Sequence, residues 1–262
     1  SREITKIRKK ELRQMEEFIH LEKCYMEFIA KVLDDPHAKA CGKCENCIGR
    51  PLISENVSEN LVLAAQQFVR NDFNVIEPRK QWPRGVTVDE KNKIQPGFLC
   101  EQGRVLSNYG DAGWGKLVSA GKYKDNFFDD QLLEASYMLL KDFVKENDII
   151  WITNVPSIRR PQLVKLFTER LAVKLGLKYY DIIVKVKDSR CQKELNNSYL
   201  QFENAYGSFE VGYPNKGNVL LVDDMVDSRW TFTVCGYKLR KGGSGKVFPF
   251  ALANSAGRNG DE

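Results

Sequence analysis

A chain of 262 residues that is 42% hydrophobic and 29% charged reads as globular, long enough for two domains with a small metal module added. It holds no run of about 20 apolar residues and opens on no signal peptide, so a membrane span is not expected and a cytoplasmic location is. A net charge of +5 without any basic tail favours a polyanionic partner only weakly. No G-x-x-x-x-G-K-[ST] phosphate loop occurs anywhere in the chain.

Residues 3–32 alternate charge with Ile4, Ile7, Leu12, Met15, Phe18, Ile19, Leu21, Met26 and Ile29, a spacing that predicts one or two amphipathic helices. Cys24, Cys41, Cys44 and Cys47 then follow as C-x16-C-x2-C-x2-C, with three thiols in seven residues. Four such thiolates can surround one Zn²⁺ tetrahedrally without a buried core to hold them. A disulfide framework would need an oxidising compartment and a short secreted chain, and neither is indicated. His37, after Asp34, Asp35 and Pro36, reads as a solvated loop histidine. Arg8, Glu11 and Met15 form R-x-x-E-x-x-x-M, and Cys41 opens CGxCxxC. With Cys24 before it, this segment resembles the zinc-binding module of RecQ-family DNA helicases.

The middle of the chain begins with SENVSENLVLAAQQFVR, residues 54–70, whose Ser and Asn caps and apolar periodicity predict a helix. FNVIEPRKQWPRGVTV follows, strand-like but interrupted by Pro78 and Pro83. There Arg79, Lys80 and Arg84 bracket Trp82. The group suits either an aromatic face against a base with cations on phosphates, or a partly buried Trp in an ordinary turn. GRVLSNYGDAGWGKLVSAGKY gathers Gly103, Gly110, Gly113, Gly115 and Gly121 with Arg104, Trp114, Lys116 and Lys122. Glycines alone fit turns between short strands at least as well as a ligand loop. The patterns PRKxWPxG and GRxLxxxGDAGWG resemble the accessory region that replaces the winged helix in a subfamily of RecQ-like helicases. That resemblance implies DNA contact through Arg79, Lys80, Trp82, Arg84, Arg104, Trp114 and Lys116.

From Asp130 the pattern becomes that of an α/β domain: a helix over Gln131–Lys145, a strand over Asp148–Thr153, a helix over Gln162–Leu175, and a strand over Gly217–Asp223. Short apolar strands alternating with helices predict a parallel sheet with its site at the carboxyl ends of the strands. The stretch NVLLVDDMVDSRWTFTVCGYKLRKGG resembles the phosphoribosyl-diphosphate motif of type I phosphoribosyltransferases. The resemblance places Asp223 and Asp224 on ribose hydroxyls and, for an active transferase, implies Mg²⁺ carried by the diphosphate and by Asp223 and Asp224. It places Asp227, Ser228 and Thr231 on the phosphate loop. Without it, Asp223 and Asp224 could simply cap a strand and the next helix. Arg229 and Trp230 replace the motif's G-x pair, and a long side chain there is expected to obstruct the backbone nest and weaken transfer. NVPSIRRPQ, with Val155, Pro156, Arg159 or Arg160, Gln162 and the later Gln192, resembles competence-type phosphoribosyltransferases. Cys100, Cys191 and Cys235 have no partners at metal spacing and read as ordinary thiols.

The fold expected is therefore α/β and multi-domain. It comprises a helical four-cysteine zinc module at 1–51, a mixed α+β accessory region at 52–130 and a phosphoribosyltransferase-like parallel-sheet domain at 131–262. The chain opens at Ser1 inside a helical pattern, as a piece of a longer protein would. Together the resemblances imply the C-terminal half of a RecQ-like DNA helicase, associated with the nucleoid, whose ATP-dependent motor lies upstream. DNA and that motor are the implied partners, and a nucleotide or phosphoribosyl ligand is a further one. The competing expectation is an active Mg²⁺-dependent phosphoribosyltransferase with an unknown acceptor. A third, a docking surface built on Arg159, Arg160, Arg240, Lys241 and Lys246, has only exposed charge behind it.

Overall fold

The computed structural model describes residues 2–53, 57–58, 60–61, 65, 74–111, 113–187 and 198–255. The chain divides into two compact units, Ser1–Ala64 and Ala65–Glu262. The helix expected over residues 54–70 falls largely outside the described residues, as do Cys191 and Gln192.

The first unit holds α1 (Arg2–Ile19), α2 (Tyr25–Val32) and the short α3 (Glu45–Ile48). The periodic stretch thus resolves into two helices, broken just before Cys24. That residue caps α2, its Sγ accepting the Glu27 amide at 3.5 Å. Phe18 packs on Tyr25 and Phe28 at centroid distances of 5.3 and 5.9 Å, closing α1 onto α2. Ile4, Ile7, Leu12, Met15 and Ile19 are all exposed. Among the described residues of this unit, Cys24 alone is buried. Hydrophobic burial among the described residues is therefore too small to hold them in place.

The second unit runs β1 (Asn74–Ile76), a 3₁₀ turn (Pro96–Phe98), β2 (Gly103–Asn108), α4 (Trp114–Ala120), a π-helical turn (Gly121–Asp125), α5 (Asp130–Glu146) and β3 (Ile149–Asn154). It continues with α6 (Leu163–Leu175), β4 (Lys178–Tyr179), β5 (Ile183–Lys185), α7 (Ser198–Tyr206), β6 (Phe209–Val211), β7 (Asn218–Val226), α8 (Trp230–Lys241) and β8 (Val247–Asn254). The main sheet has six strands in the order β1-β2-β8-β7-β3-β4, and β5 and β6 form a separate pair. Every pairing in the main sheet is parallel except the β1 edge. This is the mostly parallel α/β architecture expected from the strand pattern.

Both faces of the sheet are covered, which is why its central strands are apolar throughout. Leu220 and Val222 of β7 pack into the core with Leu132, Leu140, Phe167 and Leu171 from α5 and α6. Their neighbours Val219 and Leu221 face Cys235 and Leu239 of α8. Among the described residues no helix is long and apolar enough to cross a membrane.

Residues 74–130, expected as part of a separate accessory region, belong to this same unit. β2 lies inside the main sheet, paired parallel to β8. Trp82, Val88 and Ile94 share a core with Phe202, Trp230, Val234 and Tyr237 of α7 and α8. A boundary at residue 130 would cut through that sheet. β2 and β8 approach so closely that a Cβ at Gly103 would lie 2.3 Å from the Pro249 carbonyl oxygen. Gly103→Ala is expected to cost about 1–3 kcal/mol, as overpacked sites do. Urea denaturation reads this directly as a lower midpoint at unchanged slope.

Candidate functional site

In the first unit the sulfurs of Cys24, Cys41, Cys44 and Cys47 all lie within 4.8 Å of one another. The Cys24 and Cys44 sulfurs are 3.8 Å apart. Four thiolates at about 2.3 Å from a tetrahedral zinc would be spaced about 3.8 Å from each other. The Cys41 amide donates to Cys24 Sγ at 3.2 Å, as the Glu27 amide does from the first turn of α2. Those two amides bring the Cys24 thiol down to about 6, favouring the thiolate that a metal requires. Asn46 donates to the Leu21 and Lys23 carbonyls, fastening the second half of the cluster to the turn ahead of Cys24. The cluster could hold a metal ion. His37 is exposed and takes no part in it.

In the second unit a cleft of about 330 Å³ opens beyond the carboxyl ends of β3 and β7. Asp223 and Asp224 end the buried run of β7, and successive strand residues face opposite sides of a sheet. Both nonetheless line the cleft, with Asp227 and Thr231 from the turn and first helical residues after β7. Lys122, Tyr123, Arg159, Arg160 and Lys185 complete its polar wall. Asp224 is paired with Lys122, whose Nζ lies 3.0 Å from Oδ1 and 2.9 Å from Oδ2. Burial would lower the Lys122 ammonium, but Asp224 and then Asp223 hold it above the usual lysine range. Burial, reinforced by the neighbouring Asp224 charge, pushes the Asp223 carboxyl up to about 8.

The turn over residues 227–229 is where the sequence departs from the phosphoribosyltransferase motif. Arg229 adopts φ 68° and ψ 0°, the left-handed conformation that glycine enters most freely. Its side chain turns to the Glu77 carbonyl, where Nη1 donates at 3.1 Å. The side chain is thereby tied to the β1 end of the molecule, so the expected obstruction of the loop does not follow from the missing glycine. Arg79 staples the loop from the same segment: its Nε donates to the Ser228 carbonyl at 2.7 Å. Its guanidinium also lies 4.0 Å above the Trp230 ring. Burial and then the Arg229 charge lower Arg79 to about 10. The Ser228 hydroxyl is buried within this loop without a hydrogen-bond partner, a feature that calls for an explanation in any folded protein.

The residues expected to touch DNA do not share a face. Trp82 is 5% exposed, packed edge-on against Tyr237 at 5.1 Å, so its ring cannot stack on a base. Arg79 supports the 227–229 loop on the α8 side of the sheet. Arg104 lies over Phe143 at 4.5 Å on the α5 side, and Trp114 packs against that same core. Lys80, Arg84 and Lys116 are exposed. Cys100 and Cys235 are buried in the core, and burial pushes the Cys100 thiol up to about 12. Val155, Pro156, Arg159 and Arg160 line the cleft, whereas Gln162 precedes α6 without a side-chain cap.

Lys122 and Lys185 are cleft cations that sequence reasoning did not connect with the acids of β7, Lys122 having been noted only beside the glycines of its own stretch. One lies on the turn after α4 and the other in β5, far along the chain from the acids they face. A lone lysine carries no motif that would place it opposite acids so distant in the chain.

No family model matches the chain, and no curated protein matches it. Solved structures similar to it include an adenine phosphoribosyltransferase at 20% identity with a TM-score of 0.34, the match covering 47% of this chain and 68% of that one. Another is the adenine phosphoribosyltransferase of Leishmania tarentolae, at 11% identity with a TM-score of 0.36 and coverage of 62% and 93%.

Proposed function

We propose that the α/β unit binds a phosphorylated ribose, as phosphoribosyl diphosphate or a nucleotide, with little or no transfer of the ribosyl group. One observation carries this reading. Asp223 and Asp224 near the end of β7 share a cleft with four cations and with Asp227 and Thr231, which flank a turn that passes through a left-handed residue into α8. Amides at such a turn and helix start suit a phosphate, and the acids suit ribose hydroxyls. Weak transfer is expected because Asp224 is already engaged by Lys122, so one of the two acids is not free for the ribose.

At the level of the whole chain, the proposal is the non-motor part of a RecQ-like DNA helicase. The cysteine cluster would hold structural zinc, and ATP would be used only by a motor outside this chain. What supports it is the cysteine spacing with Arg8, Glu11 and Met15 ahead of it. DNA contact would then fall to exposed cations such as Lys80, Arg84 and Lys116.

Calorimetric titration with ribose 5-phosphate, phosphoribosyl diphosphate and a tailed DNA duplex, at one stated salt concentration, tests both levels. Saturable binding of the two phosphates is expected, weakened about tenfold or more in Thr231→Val. Arg229→Gly should stay within about threefold of the parent, because its side chain points to Glu77. Absence of heat with every phosphate would overturn the ligand reading. Absence of duplex binding would overturn the helicase one.

A further inference from the structure

We propose that the cleft takes its phosphorylated ribose without a divalent cation, the Lys122 ammonium occupying the place beside Asp224 that a magnesium ion would need. The inference rests on the ligand reading above and concerns how that ligand's charge is met.

A Mg²⁺ ion in a nucleotide or phosphoribosyl site demands near-octahedral oxygen ligands and is usually anchored through one or two free carboxylates. Here Asp224 is engaged through both oxygens and Asp223 through one. Both oxygens of Asp224 lie within 3.0 Å of Lys122 Nζ, and the two side chains are only 13% and 20% exposed. Asp223 accepts the Asp224 amide through Oδ1 at 2.8 Å. Its other oxygen has no such bond among the described residues, so Asp224, closed off by Lys122, is the acid whose metal-binding role is lost. Among the described residues, the cysteine cluster is the one group of three or more such side chains close enough to share an ion.

Lys122 is placed by the fold and is not a surface lysine that happens to reach inward. It follows Gly121, where a Cβ would sit 2.7 Å from the Phe127 carbonyl oxygen and 2.8 Å from the Phe128 ring. Phe128 is itself 1% exposed, so the π-helical turn is pinned against the core. The Met225 sulfur, 3.3 Å away, closes another side of the ammonium. Displacing Lys122 with a metal would break a largely buried ion pair, which is unfavourable. The cleft also brings its own positive charge to a phosphate: Lys122, Arg159, Arg160 and Lys185 against Asp223, Asp224 and Asp227.

The test uses the full 262-residue chain, titrated with ribose 5-phosphate and with phosphoribosyl diphosphate in magnesium-free buffer and again in excess magnesium. A chelator is avoided so that the cysteine site keeps its metal. Dissociation constants agreeing within about twofold between the two buffers are expected. Lys122→Met should make binding depend on magnesium by about tenfold or more, whereas Lys122→Arg should keep the independence. Manganese resonance provides a second readout with ribose 5-phosphate, which carries no chelating diphosphate: free Mn²⁺ signal is expected to persist with the parent protein and to fall with Lys122→Met. Should Lys122→Met fail to fold, the parent protein in the two buffers and its Mn²⁺ signal still decide. Parent binding about tenfold tighter in magnesium would overturn this inference while leaving the ligand reading standing. No binding in either buffer would overturn both.

Discussion

Removing the metal from the cysteine cluster is expected to unfold the first unit and leave the second folded. Residues 2–53 bury Cys24 and little else, while Ile4, Ile7, Leu12, Met15 and Ile19 remain exposed. A unit with so little apolar burial has to draw its stability from another source. Structural zinc supplies roughly 10–16 kcal/mol in small cysteine-rich modules at neutral pH, far more than the packing of Phe18 on Tyr25 and Phe28 could offer. Elemental analysis should find one zinc per chain. Stripping it should collapse the amide resonances of α1 to α3 to unfolded positions, and returning zinc should restore them. Cys44→Ser, which removes the ligand 3.8 Å from Cys24, should do the same at low zinc. Native resonances for residues 2–53 in metal-free protein would show that another force holds the unit.

Trp230→Ala is expected to be the most damaging single substitution near the cleft, at about 3–5 kcal/mol. Trp230 is 1% exposed and donates from Nε1 to Ser198 Oγ at 3.1 Å. It meets Phe202 edge-on at 5.4 Å and seats the Arg79 guanidinium at 4.0 Å. Truncation therefore opens a cavity between α7 and α8 and removes the surface on which Arg79 rests. Because Arg79 holds the Ser228 carbonyl, the 227–229 loop should loosen as well. Urea denaturation should show the lost stability, and ribose 5-phosphate affinity should fall with it. Trp230→Phe, which keeps a ring under Arg79, should lose less of both. A change in affinity without a change in stability would mean that Trp230 acts on the loop alone.

The local elements of the α/β unit are legible in the residues themselves. The strand expected at Asp148–Thr153 is found at Ile149–Asn154, and the helices expected over Gln131–Lys145 and Gln162–Leu175 are found at Asp130–Glu146 and Leu163–Leu175. Apolar periodicity records how each segment meets a core, and that information sits within about a dozen neighbouring residues. The cysteine cluster is legible for the same reason, since three of its four sulfurs belong to a stretch of seven residues.

Long-range pairings decided the rest. β2 joins β8 across more than half the length of the second unit, which turned an expected accessory region into part of the main sheet. Trp82 with its flanking cations read equally well as a stacking platform or a buried anchor. Only the arrival of α7 and α8 over its ring determined which. Arg229 was expected to spoil a loop because its identity is local, yet its side chain is drawn away by the carbonyl of Glu77. Lys122 meets Asp224 from a distant part of the chain. Spacing along a sequence constrains groups only a few residues apart, whereas which distant charges meet, and how deeply, is set by the tertiary structure that desolvates them together.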